Sequence, residues 1–581
     1  MKSKVAVLAL ALLVASCTRK QAPKPLSPEP SASAPSSKPR PAPSSRTVAV
    51  RLTFDSNRLH VRVTASGPAP ELRSWRLGED AAQNLNVRGG DDKAITFLKE
   101  LRAVDLTGDA RGGPVSLDYD VTSSNDPGED VRSTRIEKAR LRCTGERMLA
   151  LPAAFDDKAL DAVIEIDASG IDLLVAGSTF GGVSHDRPKH VGPMRGAELR
   201  RAAFVAGAGG HAEFDAPEGH DEALWIGYTA FDPRAVAAEV AGFRGVLHDY
   251  FHAIPEMDPS TLIFAVDARQ KGTFRAIRRA GGELVAIGGT DAYDAPLRLA
   301  VANELVHAWI GERIWIGDAS PGAEAQTAWF HDGVARWVAR EQLTRVGLVT
   351  PDEYAAEVNR LLSILATSPK ASLPVSELLG GGKPEPGAHA VLTARGALWA
   401  TQIDARIRDK TKGKQSLDDA IKSLATKAAA SHAPLPADAL DAAIEDLGLK
   451  LGHGDFDDIV ATGKRTKLSD GALGECFEPR EATYDIPAPG FDVGASRRAG
   501  KAIDVDPKGP AAAAGLKEGD TLVNIDGAFD KPDEPVRIEV ARPGGAAVVT
   551  YKPTAGARRG QSFKRKPDVS ESGCKKMLPR H

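Results

Sequence analysis

The sequence predicts an α+β chain of several domains, and three observations carry that expectation. Apolar and polar residues alternate with period two in the first part of the chain. The period lengthens to that of a helix from about Pro233, and a glycine-punctuated run near residue 510 marks a small module at the end. A chain of 581 residues is long enough for several compact units. Lys and Arg number 75 against 78 Asp and Glu, a net charge of -3, so no overall field favours nucleic acid and none is expected as a partner.

The first residues speak to location. Lys2 and Lys4 precede an apolar run, Val5 to Val14, too short to span a bilayer as a stable helix. Val14-Ala15-Ser16-Cys17 closes it with small residues and resembles a bacterial lipobox, in which Cys17 would be lipidated and become the mature N-terminus. An ordinary secretory signal with a chance cysteine is the plainer alternative. Thr18, not Asp, follows Cys17, which by resemblance to other lipoproteins implies the outer membrane, with the protein facing the periplasm or the cell surface. Residues 1–17 are thus expected to be a signal peptide carrying a lipid anchor. Residues 18–46, dominated by Pro, Ser, Ala and Lys, are expected to be an extended tether.

Strand patterning follows. Val48, Val50, Leu52 and Phe54 alternate with polar neighbours, Asp55-Ser56-Asn57 turns the chain, and Leu59, Val61 and Val63 alternate again, which predicts a hairpin of half-buried strands. Val115 to Val121 predicts another. These place an N-terminal β domain at 47–170. From Pro233 the spacing of Val236, Val240, Phe243, Val246 and Leu247 predicts a helix to His252. Strands are expected at Leu262–Val266 and at Glu283–Ile287, the latter ending in Gly288-Gly289. A helix is expected from Pro296 to Trp315.

That last helix carries Asn303-Glu304-Leu305-Val306-His307. A zinc peptidase uses His-Glu-x-x-His, because two imidazoles four residues apart share a helix face and grip the metal while the Glu activates a water. Here Glu304 and His307 stand in their places and Asn303 stands where the first His belongs. A strand leading into such a helix is the thermolysin-like arrangement, in which the edge strand holds substrate beside the zinc. His248-Asp249-Tyr250-Phe251-His252 also spaces two histidines by four, but it ends the preceding helix and reads as a polar helix end with Tyr250 and Phe251 packed inward.

Near the end, Gly509 to Gly527 (GPAAAAGLKEGDTLVNIDG) closely resembles the PDZ signature, with a short helix ending at Gly515, a turn at Gly519-Asp520 and another at Asp526-Gly527. Gly490-Phe491-Asp492-Val493 would then be the loop that receives a peptide or protein C-terminus, the peptide adding as an edge strand. A module that merely packs against its neighbour is the alternative. Cys476 and Cys574 flank this module and could pair, leaving Cys143 single.

The order of these parts resembles the glycyl aminopeptidase family, thermolysin-like metallopeptidases with an N-terminal β domain and a C-terminal PDZ domain. His307-Ala308-Trp309 with Arg313-Ile314, Trp329-Phe330-His331-Asp332-Gly333, Arg395-Gly396-Ala397-Leu398, Asp404, Ile407-Arg408, Thr411 to Asp419, Leu447-Gly448-Leu449 and Asp455 to Val460 are similar to its motifs. The resemblance implies a peptidase domain at 171–350, a helical subdomain at 351–475 and a PDZ domain at 476–556. The basic residues of 557–581 read as a solvated tail.

Departures from the family pattern fall where chemistry would be. Asp332 stands at the third-ligand Glu, Thr393 at a Tyr expected to stabilise an oxyanion, and Thr290-Asp291 where the family carries Glu-His. Zinc would keep only His307 and Asp332 as strong ligands, with help from Asn303 or water, fewer than the three of ordinary catalytic sites. His331 could supply a second imidazole only on an irregular backbone, since successive helical residues point about 100° apart. The chemistry favours a degenerate peptidase that binds peptides or proteins in its cleft and module. The alternative is an active zinc aminopeptidase with Glu304 as general base.

Overall fold

A computed structural model describes residues 45–578, apart from 56–57, 82–94, 99–101, 107–113, 125–129, 138, 168–173, 184–187, 217–218, 255–257, 268–271, 321–323, 381–386, 432, 451–455 and 530. The signal segment, Cys17 and nearly all of the tether lie outside the described residues.

The N-terminal hairpin forms as its alternation requires. Thr47–Asp55 pairs antiparallel with Arg58–Ser66, and Val48, Val50, Leu52 and Phe54 all face inward. Val115–Val121 joins on one side and Ala159–Asp167 on the other, the latter beside Lys189–Arg195. The boundary expected at 170 is therefore not a clean cut. Strand 189–195 returns to this first sheet, while strand Arg140–Thr144 pairs with Ala203–Ala216 in the second. The sheets exchange strands, so no single point in the sequence separates them.

The second sheet has nine strands. Its far half holds β1 (Gly219–Ile226), β2 (Thr261–Asp267), β3 (Arg275–Arg279) and β4 (Gly282–Gly288), in the order β1-β2-β4-β3. β1, β2 and β4 run parallel, and all seven residues of β4 are buried. The strand that leads into the motif helix is thus interior, where the sequence reading expected an edge. The edge is β3, folded back antiparallel on β4 through Gly281 at φ +78°.

Helices cover this sheet. α1 (Pro233–Tyr250) starts on Asp232, whose carboxylate accepts from the Arg234 amide, and it ends with Tyr250 and Phe251 buried, as expected of that polar helix end. α2 (Ala295–Val306) starts on Asp294 and stops nine residues before the predicted Trp315. His307 is its C-cap. The Trp309 carbonyl then accepts from both Arg313 and Ile314, and Gly311 takes φ +103°, a conformation that ends the helix.

The helical part comprises α3 (Ala335–Arg345), α4 (Pro351–Thr367), α5 (Ala388–Thr411) and α6 (Leu417–Ser431). A Cβ on Gly396 would run into the Trp329 carbonyl, and one on Gly333 into the backbone of Gly396 and Thr393, so α5 crosses the 329–334 turn at glycine-only distance. The residues most similar to the glycyl aminopeptidase pattern here are structural. Arg395 donates to the carbonyls of Val460, Ala371 and Leu373. Asp404 accepts from the Leu417 amide and pairs with Arg408. Asp418 accepts from the Tyr250 hydroxyl at 2.8 Å, from Ser416 and from Arg345.

At the C-terminal end, β5 (Phe477–Pro487) and β9 (Thr554–Arg565) form a two-stranded ribbon that is fastened to α4 by Asn359, whose amide exchanges two hydrogen bonds with the Phe563 backbone. Between the two strands lies a small module with its own core, including Phe491, Leu516, Val536, Ile538 and Val540. It contains α7 (Val493–Ala499), α8 (Pro510–Ala513) and the meander β6 (Thr521–Asp526), β7 (Val536–Arg542) and β8 (Gly545–Tyr551). The short helix, the turns at Gly515, Gly519 and Gly527, and the following strand stand where the sequence places them. The expected basic tail is instead strand β9 and helix α9 (Glu571–Met577), and a Cys476–Cys574 disulfide closes the loop that contains the module. Cys143 is free and buried.

Candidate functional site

Four elements bring the expected residues together: the end of α2, the turn at 329–334, the start of α5 and edge strand β3. His307 Nδ1 lies 3.1 Å from the Ile310 carbonyl oxygen, an atom that only accepts, so the proton sits on Nδ1. Nε2 then faces the Asn303 amide nitrogen at 3.2 Å and Asp332 Oδ1 at 3.5 Å. The same Asn303 nitrogen lies 3.2 Å from Glu304 Oε1. One neutral NH2 group thus joins the two residues that a zincin would join through its metal and its water.

Glu304 is held at both oxygens, because Oε2 accepts from the Arg278 amide of β3 at 2.7 Å. Burial pushes its carboxyl above the usual carboxylate range and nearby Asp332 adds to that, while His307, the Arg278 amide and Asn303 oppose it.

Asp332 sits on a π-helical turn, Trp329–Val334. Such turns often mark functional sites, and this one supplies the irregular backbone that a His331–Asp332 ligand pair would require. His331 nevertheless turns elsewhere. Its Nδ1 meets Thr327 Oγ1 at 3.0 Å and its ring lies 4.0 Å from that of Trp315. Burial pushes its pKa down to about 3, so it is neutral. The second histidine near Asp332, after His307, is His389, whose Nε2 is 3.9 Å from Oδ1 and whose side chain is 72% exposed. His389 is not among the residues that the sequence motifs single out. The available signal was its position four residues before Thr393, on the same face of α5.

Several polar atoms here have no hydrogen-bond partner among the described residues: Asn303 Oδ1, His331 Nε2 and Thr393 Oγ1. Asp291 has no freedom to anchor a ligand, since it accepts from the Gly272 and Gly288 amides and ties two loops together. A catalytic zinc site takes three protein ligands. Among the described residues no group of three His, Cys, Asp or Glu is placed to hold a metal ion, and Asn303 presents its NH2 group, not its oxygen, to His307. The donor set does not fit zinc.

The loop expected to receive a peptide terminus is committed to the module's own fold. The Gly490 carbonyl accepts from Asp506, Phe491 is buried in the core, and the Asp492 carboxylate caps α7 at the Ala495 amide. Val493 begins that helix. Gly490 and Phe491 still line an open groove of about 630 Å³, shared with Asp504, Lys508, Pro510 and Thr554.

No family model and no curated protein matches this chain. Among solved structures, the chain is similar to the crystal structure of an aminopeptidase N family protein from Idiomarina loihiensis. The TM-score is 0.65 at 14% identity, over 92% of this chain and 100% of that one. A likeness at that identity speaks for the fold, and the chain has a mixed α/β, aminopeptidase-like architecture.

Proposed function

We propose that this protein is a degenerate peptidase of the cell envelope, which binds peptide or protein segments at its former catalytic centre without hydrolysing them. The observation that carries the reading is the Asn303 amide, which stands where a first His ligand would and donates toward both Glu304 and His307, while the Arg278 amide takes the other Glu304 oxygen. The groove beside Gly490 and Phe491 is the second place where a partner would be held. The leader and Cys17 place the protein on a lipid anchor at the outer membrane. This part rests on sequence alone, and mass spectrometry of the mature N-terminus checks it.

The functional test is incubation of purified protein with a library of unstructured peptides, followed by mass spectrometry of bound and free fractions. Intact peptides enriched on the protein are expected. Shortened peptides whose formation stops in Glu304→Gln would overturn the reading in favour of an active aminopeptidase.

A further inference from the structure

The Arg278 amide belongs to edge strand β3 and points off the sheet, since it donates to Glu304 and not to β4. An edge strand presents such groups to any extended segment that adds beside it. This donor is held firmly in place: the Arg278 guanidinium is locked by Glu283 and Glu312, with Ser260 within hydrogen-bond distance. Glu304 is held equally firmly by Asn303. A peptide carbonyl pairing at Arg278 and the Glu304 carboxylate would therefore compete for one N–H.

We propose that Glu304 is an intramolecular latch on edge strand β3, occupying the Arg278 N–H that an incoming extended peptide must take, so that ligand entry displaces it. This rests on the peptide-binding reading above and gives Glu304 a positioning role in place of a catalytic one. It also sets the sign of the effect. A residue that contacts the peptide or merely supports the fold lowers affinity when removed, whereas a latch raises it.

The experiment compares wild type, Glu304→Gln and Glu304→Ala by hydrogen exchange of the β3 segment and by binding of a fluorescein-labelled alanine hexapeptide. Loss of a hydrogen bond to a charged acceptor predicts exchange at Arg278 about tenfold faster in Glu304→Ala and hexapeptide affinity about tenfold higher, with bound peptide restoring protection. Glu304→Gln keeps an acceptor of the same shape without the charge and lies between the two. It decides the matter if the Ala variant does not fold. Unchanged Arg278 exchange, or affinity that is unchanged or lower in the variants, overturns the latch. Peptide cleavage by wild type together with faster Arg278 exchange in Glu304→Ala would overturn the binding reading while sparing the contact itself.

Discussion

The helical part and the candidate centre lie side by side, and their buried carboxylates are paired differently. In the subdomain the buried carboxylates of Asp404, Asp418, Glu341 and Glu357 all meet arginines, and Asp418 ties α6 to both α1 and α3. At the centre, Asn303, His331 and Thr393 each leave a polar atom without a partner, and Asp332 meets its imidazoles at 3.5 and 3.9 Å. The difference teaches that the first region holds the fold together and the second does not. The fold and the centre depend on different residues, so on the proposed reading the shape can persist where the chemistry does not.

The largest expected effect lies in the subdomain. Asp418→Ala strands a half-buried Arg345 and a buried Tyr250 hydroxyl, and breaking such a pair costs about 3 kcal/mol, read by denaturant unfolding. A loss under about 1 kcal/mol would place the stabilising network elsewhere. Next is the Cys476–Cys574 disulfide, 98 residues apart in sequence. Its removal by a double Ser substitution is expected to cost about 2–5 kcal/mol for the C-terminal module, seen as an earlier unfolding transition.

Asp404 supplies the pH dependence. Burial pushes its carboxyl up to about 6 from an ordinary value of 3.8, with Glu341 and Asp418 adding to the shift and Arg408 opposing it. Between those values the folded protein holds a proton that the unfolded chain has released. The contribution is therefore complete below pH 3.8 and lost as pH rises through about 6. It amounts to about 3 kcal/mol at most, and Asp404→Asn is expected to flatten the stability profile across that window. The smallest effect belongs to the centre. Thr393 Oγ1 has no partner among the described residues, so Thr393→Val is expected to change stability by less than about 1 kcal/mol, and in the stabilising direction. A large loss there would break the contrast between the two regions.

Legibility in the sequence followed the same division. The N-terminal hairpin was readable because one face is apolar. β3 was not readable: three of its five residues are arginines, and Arg278 is buried by ion pairing, which leaves no apolar alternation. β9 reads as a tail in sequence for a similar reason, since most of its positions are exposed and charged or small. At the centre the sequence named Asn303, Glu304, His307 and Asp332, which the fold does assemble. It could not show His389, whose approach depends on the crossing of α5 over the π-helical turn, nor the Arg278 amide, which has no side-chain signature.

On the proposed reading, the Asn303 amide links Glu304 and His307 where a zinc peptidase would link them through its metal. The most direct measurement is calorimetric titration of zinc into metal-stripped wild-type protein and into Asn303→His, side by side. The account predicts no stoichiometric binding by wild type and one zinc per chain in Asn303→His, lost again when His307→Ala is added. Stoichiometric zinc in wild type that disappears in His307→Ala would contradict it.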